Sequence, residues 1–362
     1  MTRLKVSCVV GARPNFIKVA PLMAELGRRP RWQAQLIHTG QHYSPEMSDQ
    51  FFSDLEIPRP DVHLGVGGGS QTKQTAEILV GLEPVFSEFR PDVLVVVGDV
   101  TSTVAAALVA VRLGIKVAHV ESGLRSFDRS MPEEINRILT DSISDYLFTT
   151  EPGAEKNLRN EGVPADRIFF VGNVMIDTLL KFRSKAAASP VLEKLGLEPK
   201  RYVVATLHRP ANVDDPQRLP ALIEVLREIG KKMQVVFPIH PRTQKRVDEM
   251  GLSTEGVVLC PPQGYLDFLR LTSEARLVIT DSGGIQEETT ILQVPCLTVR
   301  ENTERPVTIS EGTNLLVGIS PQAILDAARR TFEMPMPAGR VPALWDGRAS
   351  ERIFDTLEGR LG

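Results

Sequence analysis

Short runs of apolar, mostly β-branched residues alternate along this chain with longer stretches whose apolar positions recur at helical spacing. Residues 6–10 form such a run, with a helix-like stretch behind them over 14–26. Residues 35–38 precede a loop and then 45–55, residues 93–97 precede 102–113, and 116–120 follow almost at once. Runs this continuously apolar suit strands of a parallel sheet covered on both faces. Their alternation with helices marks βαβ units. A further helix is predicted from Pro132 to about Asp145, with Glu133 and Glu134 in its first turn, where the helix dipole favours acids. The pattern restarts with a strand at 168–171, a helix over 175–188 and a connection over 190–199. Strands at 202–206, 234–237, 256–259, 277–279 and 295–298 follow, separated by helical segments. The glycine-rich residues 65–70 are expected to be the most flexible internal piece, lying between domains or over a cleft. Residues 334–339 should link to a last short helix over 348–361. The reading is two doubly wound, Rossmann-like α/β domains. Their predicted limits are 1–172, joined by the C-terminal helix 345–362, and 173–344.

Length agrees, since 362 residues at about 150 per domain favour two domains. The 42 basic and 45 acidic side chains leave a formal net charge of −3, which argues against a protein that coats nucleic acid. Cys8, Cys260 and Cys296 lie far apart and form no CxxC pair, so they read as buried thiols in a reducing compartment. No run approaches the roughly 18 apolar residues of a membrane helix, and residues 6–10 are too short for a signal-peptide core. A cytoplasmic protein that binds neither nucleic acid nor membrane is expected.

Open α/β domains bind ligands at the carboxyl ends of their strands, so candidate chemistry is sought in the loops directly after strands. After the first strand come Gly11, Arg13 and Lys18. A glycine turn and two cations at a helix start suit a phosphate, and they also suit a plain βα turn with solvated charges. Asp99 follows the strand 93–97 as an acid, a base, a hydroxyl ligand or a helix cap. Glu121 follows the adjacent strand, and two acids facing one space can have their pKa values pushed apart. Glu133 or Glu134 supplies a third acid, the other serving the helix dipole. In the second half, His208 and Arg209 follow a strand in an arrangement suited to a developing phosphate charge, and His240 and Arg242 repeat the theme. Asp281-Ser282-Gly283-Gly284 ends a strand and opens a helix, the geometry of a pyrophosphate cradle. Glu288 stands one turn on, placed for ribose hydroxyls, and Arg305 returns a cation downstream. No HExxH or cysteine spacing marks a metal site.

Taken in order, residues 11–18, 39–42, 98–99, 119–125, 132–137, 172–173, 208–209, 280–288 and 303–306 resemble the non-hydrolysing UDP-N-acetylglucosamine 2-epimerase family over nearly the whole chain. The resemblance implies a GT-B-like fold with the active site in the cleft between its domains, a homodimer, and interconversion of UDP-N-acetylglucosamine and UDP-N-acetylmannosamine without NAD or metal. It also implies a mechanism in which UDP is eliminated across C1–C2 to a 2-acetamidoglucal and added back with the C2 proton on the other face. By motif matching, Asp99, Glu121 and Glu133 are the acid/base groups and His208 steadies the leaving group. Arg13, Lys18, Ser282, Gly283, Gly284 and Arg305 hold phosphates, Gln263 and Phe268 the uracil, and Glu288 the ribose. Gln41, His42, Arg209 and His240 match a second nucleotide-sugar site that activates some bacterial members. The chain departs from many members at Asn15, Ala211 and Val307, and at Tyr43-Ser44, without losing a proposed acid, base or phosphate ligand. The competing readings are a hydrolysing relative that releases N-acetylmannosamine and UDP, a 2-epimerase of a modified UDP-amino sugar, and a GT-B glycosyltransferase. A transferase does not need three carboxylates around C2, and the segments 119–126 and 132–137 favour the epimerase.

Overall fold

The computed structural model describes residues 3–40, 51–334 and 338–362. Its contacts divide the chain into two compact units, Met1–Lys181 with Ala343–Gly362, and Phe182–Pro342.

The first unit is built on a seven-stranded parallel sheet: β1 (Leu4–Val10), β2 (Trp32–His38), β3 (Val62–His63), β4 (Val93–Val97), β5 (Lys116–Ser122), β6 (Tyr146–Thr149) and β7 (Ile168–Phe170). Their order in the sheet is β3-β2-β1-β4-β5-β6-β7, so chain direction across the sheet reverses between β1 and β4. Every residue of β4 is buried, as a central strand covered on both faces requires. Ile78, Leu82 and Phe86 of the helix Gln71–Phe89 join Ala105, Ala106 and Val109 of the helix Thr101–Arg112 over Leu94 and Val96. The second unit holds β8 (Tyr202–Thr206), β9 (Gln234–Pro238), β10 (Val257–Cys260), β11 (Leu277–Thr280), β12 (Cys296–Thr298) and β13 (Asn314–Leu316). Their order is β10-β9-β8-β11-β12-β13, with the reversal between β8 and β11. Leu222, Leu226 and Ile229 of the helix Arg218–Gly230 pack there on Val203, Val235 and Leu277.

The strand-and-helix pattern holds with four differences. Strands β3, β6 and β13 were not expected. The helix from Pro132 stops at Ile143, because Asp145 turns its carboxylate to Val117 N (2.9 Å) and Lys116 Nζ (2.7 Å) and the chain continues into β6. The first unit extends beyond residue 172, into the helix Val174–Ala187. Asp177 accepts bonds there from Ala349 N (3.1 Å) and Ser350 N (2.8 Å), and the Thr178 hydroxyl donates to Ile17 O (2.6 Å). Residues 65–70 join β3 to the helix Gln71–Phe89 inside the first unit, so they do not link the two units. Val66 is buried there and donates its N–H to Thr39 O (2.8 Å). Of the helix expected over 45–55, residues 45–50 lie outside the described residues and 51–54 are helical.

Candidate active site

In open α/β sheets the ligand crevice forms at the carboxyl ends of the strands, where the strand order reverses. In the first unit those strands are β1 and β4. Val97 of β4 pairs with Val120 of β5, so Asp99 and Glu121 leave the sheet from adjacent strands at nearly the same level. Glu121 is the extra residue of a bulge. Pairing with β6 steps from Val120↔Phe148 to Ser122↔Thr149, and Glu121 takes a φ of +70°. A left-handed non-glycine residue costs on the order of 1 kcal/mol or more and persists only where its surroundings hold it. Here Lys18 Nζ does so, 2.8 Å from Oε1 and 2.7 Å from Oε2 of Glu121, with both side chains buried. Gly98 makes room for the pair: a methyl group at that residue would lie 2.8 Å from Lys18 Nζ. Asn15 braces the same turn, donating to Val97 O (2.9 Å) and accepting from Ala12 N (3.1 Å).

Asp99 is ion-paired with Arg137, and Asn136 Nδ2 donates to its carbonyl (2.9 Å). The other arm of Arg137 reaches Glu134 at 2.6 Å. Glu134 is buried and accepts from Ser126 N, Ser126 Oγ and Phe127 N, each at 2.9 Å. It therefore shapes the loop after β5, while its neighbour Glu133 is exposed at the first turn of the same helix.

In the second unit the reversal lies at β8 and β11, and Asp281 directly follows β11. This buried carboxylate accepts from Arg209 N (3.0 Å), Asn212 Nδ2 (3.0 Å) and His208 N (3.1 Å), and its Oδ1 lies 2.7 Å from His208 Nδ1. Burial alone would raise its pKa, but His208 and these donors prevail and hold it below the usual carboxylate range. The His208 side chain is 56% exposed, so Nε2 is left as the nitrogen that Asp281 does not engage.

The helix Gly283–Leu292 begins immediately after Ser282. A methyl group at Gly283 would sit only 2.9 Å from Arg305 Cζ, so glycine lets the guanidinium lie against the helix start. Arg305 contacts Glu287 (2.8 Å) and Glu304 (3.7 Å). Glu304 also meets Arg300 (2.8 Å) and Arg209 (3.2 Å). Burial opposes its charge, yet the three arginines pull its carboxyl well below the ordinary range. Glu288 is buried on the same helix beside Tyr265, whose phenol is raised well above its usual value by burial and by that carboxylate's charge. Phe268 is partly exposed on the helix Tyr265–Ser273, and Gln263 Nε2 donates to Pro261 O (2.6 Å) in the preceding loop.

The structure thus brings Asp99, Glu121 and Glu133 to the first unit's reversal point or onto the helix tied to it. In the second unit His208, Arg209, Ser282, Gly283, Gly284 and Arg305 lie about β8 and β11, with Glu288 further along the same helix. Lys18, matched by sequence to a phosphate, is placed on Glu121. His240 caps the helix Pro241–Glu249 by accepting from Arg242 N (3.2 Å). The side chain of Arg13, and Gln41 and His42 entirely, lie outside the described residues. Sequence reasoning did not single out Arg137, Asp281 or Glu304 as organising groups. The spacing Glu134–Arg137, three apart on one helix, was the available signal for the first. Among the described residues no cluster of His, Cys, Asp and Glu is placed to hold a metal ion, and no helix is long and apolar enough to cross a membrane.

Two Rossmann-like units, each with a polar cluster at the reversal point of a parallel sheet, define a protein of the GT-B-like class. The sequence model of the UDP-N-acetylglucosamine 2-epimerase family matches residues 24–358. The UDP-N-acetylglucosamine 2-epimerase of Methanocaldococcus jannaschii is 42% identical over 370 residues, 98% of this chain and 99% of that protein. The UDP-2,3-diacetamido-2,3-dideoxy-D-glucuronate 2-epimerase of Pseudomonas aeruginosa is 42% identical over 359 residues, with the same coverage of 98% and 99%. The crystal structure of the M. jannaschii enzyme in complex with UDP-GlcNAc and UDP matches with a TM-score of 0.92 at 41% identity, covering 98% of this chain and 100% of that one. The chain belongs to the UDP-N-acetylglucosamine 2-epimerase family.

Proposed function

We propose that this protein interconverts UDP-N-acetylglucosamine and UDP-N-acetylmannosamine. In the forward half-reaction the C2–H and C1–O bonds break, C1=C2 forms, a carboxylate takes the proton and UDP leaves with the electron pair. In the return half-reaction UDP adds back to C1 and a carboxylic acid delivers a proton to the other face of C2. Asp99, Glu121 and Glu133 carry the proton transfers, while His208, Arg305 and the helix start at Ser282-Gly283-Gly284 take the charge that grows on the diphosphate. Glu288 takes the ribose, and Phe268 and Gln263 the uracil. The chemistry calls for neither NAD nor a metal.

The observation that carries this reading is the pairing of Asp99 and Glu121 on adjacent strand ends, each with its own cation, in a chain that the family model matches over residues 24–358. Incubation with UDP-N-acetylglucosamine in D2O, followed by NMR, tests it. Deuterium at C2 with UDP still attached is expected. Free sugar and UDP would instead mean hydrolysis, and no exchange without an acceptor would mean transfer. The P. aeruginosa relative, named for a diacetamido uronate, is as similar as the M. jannaschii enzyme, which favours a second reading in which this chain takes a modified UDP-amino sugar. Comparing kcat/KM for the two substrates decides between them.

We also infer a homodimer. Val80, Val111 and Leu139 are exposed apolar residues on helices that pack side by side in the first unit, and sedimentation equilibrium checks the state.

A further inference from the structure

A largely buried network of polar groups joins the strand ends that carry Asp99 and Glu121. His119, on β5, is fully buried; its Nε2 lies 2.8 Å from Gly98 O and its Nδ1 2.7 Å from Asp141 Oδ1. Asp141 Oδ2 accepts from Gly123 N (3.0 Å) and from Arg125 Nη1 (2.7 Å). Arg125 continues to Glu161 with two bonds, Nε at 2.7 Å and Nη2 at 2.6 Å. The ends of the network fall at chosen places. Gly98 directly precedes Asp99, and Gly123 stands two residues after Glu121, just beyond the bulge. Asp141 lies on the helix Pro132–Ile143, which also carries Glu133 and the Arg137 that holds Asp99.

We propose that His119 and Asp141 are positioning residues, a buried clamp that fixes the strand ends bearing Asp99 and Glu121, and the helix bearing Glu133, in one register. The proposal rests on the epimerase reading above. A network of this kind is a poor device for stability alone, because well-packed apolar side chains often do as well as buried ions. What it supplies is geometry. A carbonyl oxygen only accepts. Asp141 is a carboxylate: burial opposes its charge, but the charges of His119 and Arg125 keep its pKa below the usual range. Nε2 of His119 therefore donates to Gly98 O, and with Nδ1 on Asp141 the ring spans the two as a rigid strut. Proton transfer at C2 is sensitive to such placement, since a shift of about 1 Å in a reacting group costs on the order of 10²-fold.

Two variants divide the strut. His119→Gln sets an amide nitrogen near the place of Nε2 and keeps the contact with Gly98. His119→Asn sets one near Nδ1 and keeps the contact with Asp141. Each is expected to lower kcat, and C2–H exchange in D2O with it, by about 10- to 100-fold. KM and UDP affinity should stay within about twofold, because the proposed diphosphate groups lie in the second unit. A kcat within about twofold of the parent in both variants, or kcat and UDP affinity falling together, would overturn the proposal. NMR of the parent protein labelled with 15N-histidine tests it without any variant: both ring nitrogens of His119 should show hydrogen bonds, and a ring nitrogen without one refutes the strut. If the parent protein shows no C2 exchange with either sugar nucleotide, the epimerase reading fails, while the ring spectrum still decides the strut.

Discussion

The two reversal points use charge in opposite ways. In the first unit the cations serve carboxylates: Lys18 is spent on Glu121, Arg137 on Asp99 and Glu134, and Arg125 on Asp141 and Glu161. In the second unit carboxylates serve cations: Glu304 gathers Arg209, Arg300 and Arg305, Glu287 backs Arg305, and Asp281 orients His208. A site that moves protons needs its acids held at fixed distances, so its cations act as struts. A site that receives a departing anion needs donors held in place, and here acids hold the arginines and the histidine. On the proposed function, the same fold, repeated, is equipped once for each task.

The strongest way to break this contrast is to remove one charge on each side. Glu121→Gln is expected to lower turnover by about 10²- to 10⁴-fold while leaving UDP affinity nearly intact. Steady-state assay and calorimetry with UDP measure the two quantities. A comparable loss in both would mean that Glu121 does not belong to a proton-transfer side at all. Next in size is Asp281→Asn, which takes the carboxylate from His208 Nδ1. A drop in kcat of about 10- to 100-fold is expected. An unchanged kcat would leave the His208–Asp281 contact as a simple loop fastening. Arg305→Lys keeps the charge but loses the planar fork lying against Gly283, so UDP should bind about tenfold more weakly, with less change in kcat at saturation. A variant that binds UDP normally would take Arg305 off the anion side.

How much of this the sequence revealed depends on how local each feature is. Strands β4, β8 and β11 are nearly continuous apolar runs and announce themselves, and with them the loops that carry Asp99, His208 and Ser282. Strand β3 has two residues, too few to show a period. Strand β6 was hidden by running the preceding helix on to Asp145. The bulge at Glu121 resides in the backbone of one residue and leaves no trace in residue type. Lys18 and Glu121 are 103 positions apart, so a lysine one turn into a helix reads as a phosphate ligand until the fold shows what it meets. Asp281 was visible at its strand end, but four donors converging on it are a property of the folded loops.

The smallest effect separates the two units by pH. In the first unit His38, at the end of β2, is packed among Phe16, Phe52 and His63, with ring centroids at 5.2, 6.2 and 4.6 Å, and its Nε2 has no hydrogen-bond partner among the described residues. Burial, then the charge of His63, lowers its pKa from 6.5 to about 4. Between those values the unfolded chain binds a proton that the folded one refuses. The contribution of His38 is therefore complete above pH 6.5 and is lost as pH falls towards 4, amounting to roughly 3 kcal/mol. In the second unit Asp281 and Glu304 have lowered values, so their contribution is kept through that window and is lost only below the ordinary carboxylate range. Both tryptophans of the chain, Trp32 and Trp345, belong to the first unit, so their fluorescence follows that unit alone. Urea unfolding read by tryptophan should shift to lower urea between pH 7 and pH 5, and His38→Leu should remove much of that shift. If the variant keeps the full shift, the acid sensitivity of the first unit comes from elsewhere, and the division of the pH response between the two units fails with it.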